Sequence, residues 1–309
     1  MTDKIIEAEV TKGGVIVVTP NPPPDPIDEG KFGTKIPTAE IINKKPVVMF
    51  VCYDDKNAEH ARKFKNSLRK FHSEEELPLI EICGEELQNY LKVDPMFFYR
   101  QKPIIAEKLI KEYECVIGCD VDQIVVGDLS YIWKTKDYDV GTVINYNRAD
   151  AQNYPLVAGW GIFPVEYFNC GLVAMRSEAF VKDWKNKCFS PQFDRMQYKE
   201  QDLLNALCYF GNYNVRCFDH TDPVGGNNSW WGIFSKGELS RAKLVNGEMI
   251  IPQGEGPTPF PPKEVSLKVI HFGGGNDPQK GNYRIMCSQE IVEHLDKLVA
   301  DPVKDKSGK

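Results

Sequence analysis

Between Val47 and Cys119 the chain alternates β-prone apolar runs with amphipathic helical stretches, and this order limits the available folds more than any other feature. Val47-Val48-Met49-Phe50-Val51-Cys52 is apolar at every position, so both faces of the strand it forms need cover. A central strand of a parallel sheet flanked by helices meets that need. From Asn57 to Phe71, the residues Ala61, Phe64, Leu68 and Phe71 recur at threes and fours with basic residues between them, the stripe of a helix packed on one side. Leu79-Ile80-Glu81-Ile82 is a second strand, Pro103 to Tyr113 a second helix with proline at its start, and Cys115 to Cys119 a third strand. The order predicts an α/β fold: a Rossmann-like, mostly parallel open sheet with helices on both faces. Val140 to Ile144, Leu172 to Met175 and Val265 to Phe272 read as later strands. Ser177 to Lys187, Glu200 to Phe210 and Ser288 to Ala300 read as later helices.

The main domain therefore spans 45–300, with a polar tail over 301–309. Residues 1–44 stand apart. Ile5 to Val10 and Val15 to Val18 flank the turn Thr11-Lys12-Gly13-Gly14 and predict a small β-hairpin, followed by the stiff linker Pro20-Asn21-Pro22-Pro23-Pro24-Asp25-Pro26. This appendage is a candidate for covering a sheet edge or for homo-oligomer contact.

Composition removes several classes of function. The formal net charge is -6 and no long basic run occurs, so the footprint of a nucleic-acid-binding protein is missing. No apolar run reaches the length of a membrane span, and Met1 to Val10 lacks the apolar stretch of a signal peptide. The nine cysteines have no framework spacing and no C-x-x-C, which fits reduced thiols and a cytoplasmic location.

The stretch richest in chemistry is Cys119-Asp120-Val121-Asp122-Gln123. Ligands of open α/β sheets bind outside the carboxyl ends of the strands, where Asp120 falls. If the segment is extended, Asp120 and Asp122 point the same way and can share one hard cation, Mg²⁺ or Mn²⁺. A bare pair of acids at this spacing is also common in surface turns.

Four blocks in order resemble glycosyltransferase family 8, the GT-A group that includes glycogenins and bacterial lipopolysaccharide galactosyltransferases. They are Asp120-Val121-Asp122, the D-x-D core; Tyr167-Phe168-Asn169-Cys170-Gly171-Leu172; Glu200-Gln201-Asp202-Leu203-Leu204-Asn205; and Ile270-His271-Phe272 with Gly274. With the first strand, the resemblance covers about residues 45–285. It implies a metal-dependent transferase that takes a sugar from a nucleotide-diphosphate donor, UDP-linked, to a carbohydrate, glycolipid or protein acceptor, with retention of configuration. It makes His271 the third metal ligand beside Asp120 and Asp122, where a lone histidine after an apolar strand would otherwise read as structural.

By the same resemblance Asn169, Glu200 and Gln201 lie near the donor sugar. Read from the residues alone, Asn169 could cap a turn and Glu200 could simply favour a helix N-terminus. Tyr53 and Asp54 follow the first strand, where the family holds the nucleoside; Asp54 could equally cap the next helix. Arg100 or Lys102 assists the donor phosphate or a carboxylate, with surface solvation as the other reading. Val121 and Gly274 bring backbone close to the donor.

Two positions depart from the family pattern. Glu200 stands where the family has aspartate, and the family's phosphate-binding lysine falls on Asp277, with Lys280 three residues on as its candidate replacement. Trp160, Phe163, Trp230, Trp231 and Phe234, in glycine-rich loops, suit either an acceptor cleft or plugs against the sheet. The alternatives are a nucleotide-sugar-binding protein with impaired catalysis, and a sugar-nucleotide nucleotidyltransferase. The second lacks support from Tyr53-Asp54-Asp55-Lys56-Asn57, which holds neither the glycines nor the clustered lysines of such enzymes.

Overall fold

Val48–Cys52 (β3) is buried at every residue and pairs in parallel with a strand on each side, Leu79–Ile82 (β4) and Val116–Cys119 (β5). The computed structural model describes residues 9–10, 16–17, 44–144, 167–218, 229–233, 239–252, 264–272 and 283–302. The chain divides between Ile42 and Asn43 into two units. In the first, Glu9–Val10 (β1) pairs antiparallel with Ile16–Val17 (β2).

The second unit holds a six-stranded sheet in the order β4-β3-β5-β8-β7-β9. Val140–Ile144 (β7) and Val215–Cys217 (β9) run parallel to each other, and Phe168–Met175 (β8) is antiparallel to both β5 and β7. β8 is thus the one reversed strand in a sheet whose other five share a direction. One face packs against Gly84–Val93 (α2), Phe97–Leu109 (α3), Glu178–Cys188 (α5), the short Pro191–Arg195 (α6) and Glu200–Phe210 (α7), burying Phe97, Phe180, Trp184 and Phe193. The opposite face packs against Ala58–Leu68 (α1) and the short Tyr131–Lys134 (α4), through Ala61, Phe64, Leu68 and Trp133.

A second sheet brings in the C-terminal part of the chain. Glu264–His271 (β13) pairs in parallel with Ser229–Ile233 (β10) and antiparallel with Glu248–Pro252 (β12), which forms a hairpin with Lys243–Val245 (β11). The end of β13 also pairs antiparallel with Gln123–Val125 (β6). Tyr283–Met286 (α8) and Gln289–Val299 (α9) close over this sheet; Ile291, Val292, Leu295 and Leu298 are buried with Leu267 and Ile270.

Three sequence expectations change. Pro103 does not open its helix: it lies inside α3, which begins at Phe97. A proline there forfeits a backbone bond at a cost of about 3 kcal/mol. The buried Phe97 stacked 4.4 Å from Tyr90, and the burial of Pro103 itself, offset it. Asp120 and Asp122 are not in a continuous strand, since Val121–Asp122 forms a bend joining β5 to β6. Trp230 and Trp231 lie in strand β10 rather than a loop, because β13 offers its free edge to them. Trp160, Phe163 and Phe234 lie outside the described residues.

Candidate functional site

The register between β6 and β13 brings together side chains about 150 residues apart. Ile270 pairs with Ile124 and His271 with Gln123, and the ladder closes with the Phe272 N–H donating to the Asp122 carbonyl at 2.9 Å. His271 is thereby carried to the carboxyl edge of the main sheet, where β5 ends and Asp120 begins. Its Nε2 lies 2.9 Å from Asp122 Oδ1 and 3.8 Å from Asp120 Oδ2. The bend turns Val121 into the core and leaves both carboxylates facing the imidazole. One ligand atom from each of Asp120, Asp122 and His271 falls within 4.8 Å of the others. Two carboxylate oxygens and one imidazole nitrogen are a donor set that fits Mn²⁺ or Mg²⁺.

The charges of the trio support one another. Burial would raise the Asp122 carboxyl, but the charge and hydrogen bond of His271 outweigh it and hold the carboxyl below its ordinary range. Burial would likewise lower His271, and Asp122 followed by Asp120 raise it instead. Lys102, buried on α3, sends Nζ to Asp120 Oδ1 at 2.5 Å. Burial alone would strip its proton; the Asp120 charge more than reverses that and keeps Lys102 cationic.

Gly171 makes room for the histidine. A β-carbon there would sit 2.7 Å from His271 Cε1 and 2.8 Å from Asn169 Oδ1. Its backbone is tied on both sides: the N–H donates to Asn169 Oδ1 at 2.6 Å, and the carbonyl accepts from the Asp120 N–H at 2.9 Å and Gln123 Nε2 at 2.5 Å.

β8 is irregular where it meets the site. β7 pairs Thr142 with Val173 and then Val143 with Asn169, so Cys170, Gly171 and Leu172 are looped out of the β7 ladder. Such bulges re-aim side chains beside functional sites. The polar groups this leaves are taken up by α7 and by Thr142. Gln201 Oε1 accepts from the Cys170 N–H at 3.0 Å, and Asn205 accepts from the Phe168 N–H at 2.7 Å while donating to the Phe168 carbonyl at 2.9 Å. The Thr142 hydroxyl donates to the Asn169 carbonyl at 2.8 Å. Asp202 is buried and accepts from the Tyr167 hydroxyl at 2.6 Å and the Tyr198 N–H at 2.8 Å. The turn into α7 runs through Lys199 at φ 50°, ψ -119°, a conformation that costs a non-glycine residue about 1–3 kcal/mol.

Glu200 follows that turn. Its Oε1 lies 3.6 Å from Cys170 Sγ, and its Oε2 is enclosed with no hydrogen-bond partner among the described residues. Burial pushes its carboxyl up to about 8, against the opposing pull of Lys102.

A family model described as glycosyl transferase family 8 matches residues 34–237, about two thirds of the chain. The chain belongs to glycosyltransferase family 8. No curated protein sequence matches it significantly. Among solved structures, the WbbM bifunctional glycosyltransferase aligns with a TM-score of 0.51 at 14% identity, covering 84% of this chain and 50% of that one. The chain thus spans about half the length of WbbM, and the likeness is one of fold. The galactosyltransferase LgtC, solved with donor and acceptor sugar analogs, aligns with a TM-score of 0.48 at 17% identity, over 83% of this chain and 98% of its own. GlyE of Streptococcus pneumoniae TIGR4 aligns with a TM-score of 0.39 at 16% identity, covering 57% and 46%. The mixed α/β fold, with helices around a mostly parallel central sheet, is the GT-A fold.

Not every residue singled out in this family 8 chain gathers at the trio. Tyr53 donates to Glu81 Oε1 at 3.0 Å, and Asp54 caps the turn Asp55–Asn57 by accepting from the Asn57 N–H at 3.2 Å. Both stand at the carboxyl edge, after β3. Arg100 pairs with Asp94 at 2.9 Å and lies over Phe189 and Phe193, while its neighbour Lys102 reaches Asp120. Gly274, Asp277 and Lys280 lie outside the described residues. Reasoning from sequence passed over Gln123, Asp202 and Asn205. The last two stood inside a recognised block, but what they bind, backbone for Asn205 and backbone with the Tyr167 hydroxyl for Asp202, is announced by no side-chain pattern.

Proposed function

We propose that the chain is a metal-dependent glycosyltransferase that moves a sugar from a UDP-linked donor to a hydroxyl of a carbohydrate, glycolipid or protein acceptor, with retention at the anomeric carbon. The observation that carries this reading is the convergence of Asp120, Asp122 and His271 at the carboxyl edge of the sheet, in a chain of family 8. These three residues would hold Mn²⁺ or Mg²⁺. When bound, such an ion is a Lewis acid that neutralises the charge developing on a diphosphate leaving group.

Each of the chain's own groups has a part in this scheme. Lys102 fixes the direction of Asp120 through the 2.5 Å contact. Asp122 and His271 hold each other in place through their 2.9 Å contact. Asn169, Glu200 and Gln201 border the same end of β8 and would face the donor sugar. With its carboxyl near 8, Glu200 carries a proton through much of the neutral range and can donate a hydrogen bond there. Tyr53, Asp54 and the backbone at Val121 would border the nucleoside, and Gly274 and Lys280 the diphosphate. Retention of configuration is taken from the family resemblance.

Donor hydrolysis tests this directly. Purified protein is incubated with UDP-glucose, UDP-galactose, UDP-N-acetylglucosamine and UDP-xylose, with MnCl₂, MgCl₂ or EDTA, and released UDP is measured. At least one donor should be turned over with metal and none with EDTA. Asp122→Ala and His271→Ala should each lose at least about a hundredfold, since each ~1.4 kcal/mol of lost stabilisation is tenfold in rate. Turnover that survives both EDTA and His271→Ala would refute the metal role. NMR of the first-formed glycoside decides stereochemistry, and a β-linked product from an α-linked donor would refute retention.

A further inference from the structure

We infer that Asp202 is a positioning residue: clamped between Tyr167 and Tyr198, it holds the strained turn at Lys199 so that Gln201 and Glu200 stay fixed against β8 beside the Asp120–Asp122–His271 trio. Its carboxylate is 1% exposed, and both oxygens are engaged. Oδ1 takes the hydroxyl of Tyr167, which immediately precedes β8, at 2.6 Å; Oδ2 takes the backbone N–H of Tyr198, which immediately precedes Lys199, at 2.8 Å. One side chain therefore ties the entry of β8 to the entry of α7.

The turn needs such a tie. Lys199 occupies a left-handed backbone region that a lysine adopts only when its surroundings over-determine it. Three bonds fix the residues around it: Asp202 on the Tyr198 N–H, the Gln201 N–H on the Tyr198 carbonyl at 3.0 Å, and the Trp184 indole N–H on the Glu200 carbonyl at 3.0 Å. The two residues released from the turn are those that meet the bulge of β8. Gln201 receives the Cys170 N–H, and Glu200 lies against Cys170 Sγ. Cys170 is bonded to Gly171, whose carbonyl receives the Asp120 N–H and whose bare α-carbon admits the His271 ring. Displacing α7's first turn would thus be felt at Cys170 and then at the trio. A simpler role competes: an acid in the first turn of a helix favours the dipole and caps free N–H groups whatever its neighbours do. That role would change stability without changing the order of β8.

The experiment uses the full chain. Tyr167→Phe removes one hydroxyl and leaves the ring in place; Asp202→Ala removes the clamp; Asp202→Asn keeps an oxygen for the Tyr198 N–H. Amide hydrogen exchange at Cys170 is the first readout, since it is independent of any donor. It should rise at least tenfold in Tyr167→Phe, more in Asp202→Ala, and least in Asp202→Asn. The catalytic consequence rests on the proposed donor transfer. With the donor the parent protein hydrolyses, kcat should fall at least tenfold in Tyr167→Phe with KM within threefold. A parent without activity on any UDP-sugar would sink the donor-transfer reading and leave the exchange result to decide the clamp. Folded Tyr167→Phe protein with parental Cys170 exchange overturns the inference, and it does so even where Asp202→Ala fails to fold.

Discussion

Glu200→Gln should flatten the pH dependence of stability. In the folded chain Glu200 Oε2 is enclosed without a hydrogen-bond partner among the described residues, and Oε1 lies 3.6 Å from the Cys170 thiol, so ionisation leaves a poorly solvated charge. Burial, opposed by Lys102, raises the carboxyl from an ordinary 4.5 to about 8. The sign follows from proton counting. Between those values the unfolded chain has released the proton and the folded chain has not, so the folded state binds more protons and loses stability as pH rises. Below about 4.5 and above about 8 this group contributes no slope. A separation of about 3.5 pH units, at about 1.36 kcal/mol each, sets the loss at up to about 5 kcal/mol across the window. Glutamine keeps the shape and cannot ionise. Urea unfolding of both proteins in EDTA, from pH 5 to pH 9, should show the variant matching the parent or slightly weaker at pH 5 and gaining on it steadily to pH 8. Taking the difference cancels groups common to both. Parallel stability curves for the two proteins would refute the enclosed-acid account of Glu200.

Three further outcomes follow from the same geometry. Gly171→Ala places a methyl 2.7 Å from His271 Cε1; it should cost about 1–3 kcal/mol and at least tenfold in Mn²⁺ affinity by calorimetry, and parental affinity would show that His271 is no ligand. Asn205→Ala strands the Phe168 N–H and carbonyl in a buried site; urea unfolding should register a loss of at least about 2 kcal/mol, and a near-neutral result would mean that water replaces the amide. Deleting residues 1–40 removes a stretch upstream of β3 and of the four motif blocks, though it takes the first residues of the family match at 34–40; the truncated protein should bind UDP with MnCl₂ as the parent does, and loss of binding in a folded truncation would refute that.

Most of the main sheet was legible because its strands announce themselves locally; β9, three half-buried residues, was not read, and β8 begins at Phe168 rather than Leu172. Leu79–Ile82 and Glu200–Phe210 end where periodicity and composition say they should, and β3 and β5 differ from the reading by one residue. What escaped depends on distant partners. β6 is three residues of no special pattern until β13 pairs with it, and β10 looks like a loop until the same strand offers it an edge. Pro103 misled because a local rule about helix starts yielded to the burial of Phe97 six residues earlier. One local signal was passed over: Asn246-Gly247, both at positive φ, is the tight turn joining β11 to β12. At the site, the acids and the histidine could be picked out by residue type. The pairing of Lys102 with Asp120 could not, since it needs the path of α3 beneath β5.

The two blocks centred on Asn169 and Gln201 show why a matched motif is not a roll of reacting groups. Of the polar side chains in Glu200 to Asn205, three hold backbone: Gln201 at Cys170, Asp202 at Tyr198 and Asn205 at Phe168. Gln201 does so because β8 leaves the β7 ladder at Cys170 to Leu172, and a bulge inside a sheet strands amide groups that water cannot reach; Phe168 keeps its pairing with Ile144, and Tyr198 lies in the turn before α7. Gln201 and Asn205 of α7 hydrogen-bond to the backbone of β8 at Cys170 and Phe168. Gly171 lies against His271, and its carbonyl receives the Asp120 N–H as the β5–β8 register runs on past Cys119 and Leu172. Gln201 thus supports the irregular strand on one side while the pairing with β5 holds it beside the candidate metal centre on the other. Two residues of this block reach past the backbone: Asp202 to the Tyr167 hydroxyl, and Glu200, whose enclosed Oε2 has no hydrogen-bond partner among the described residues.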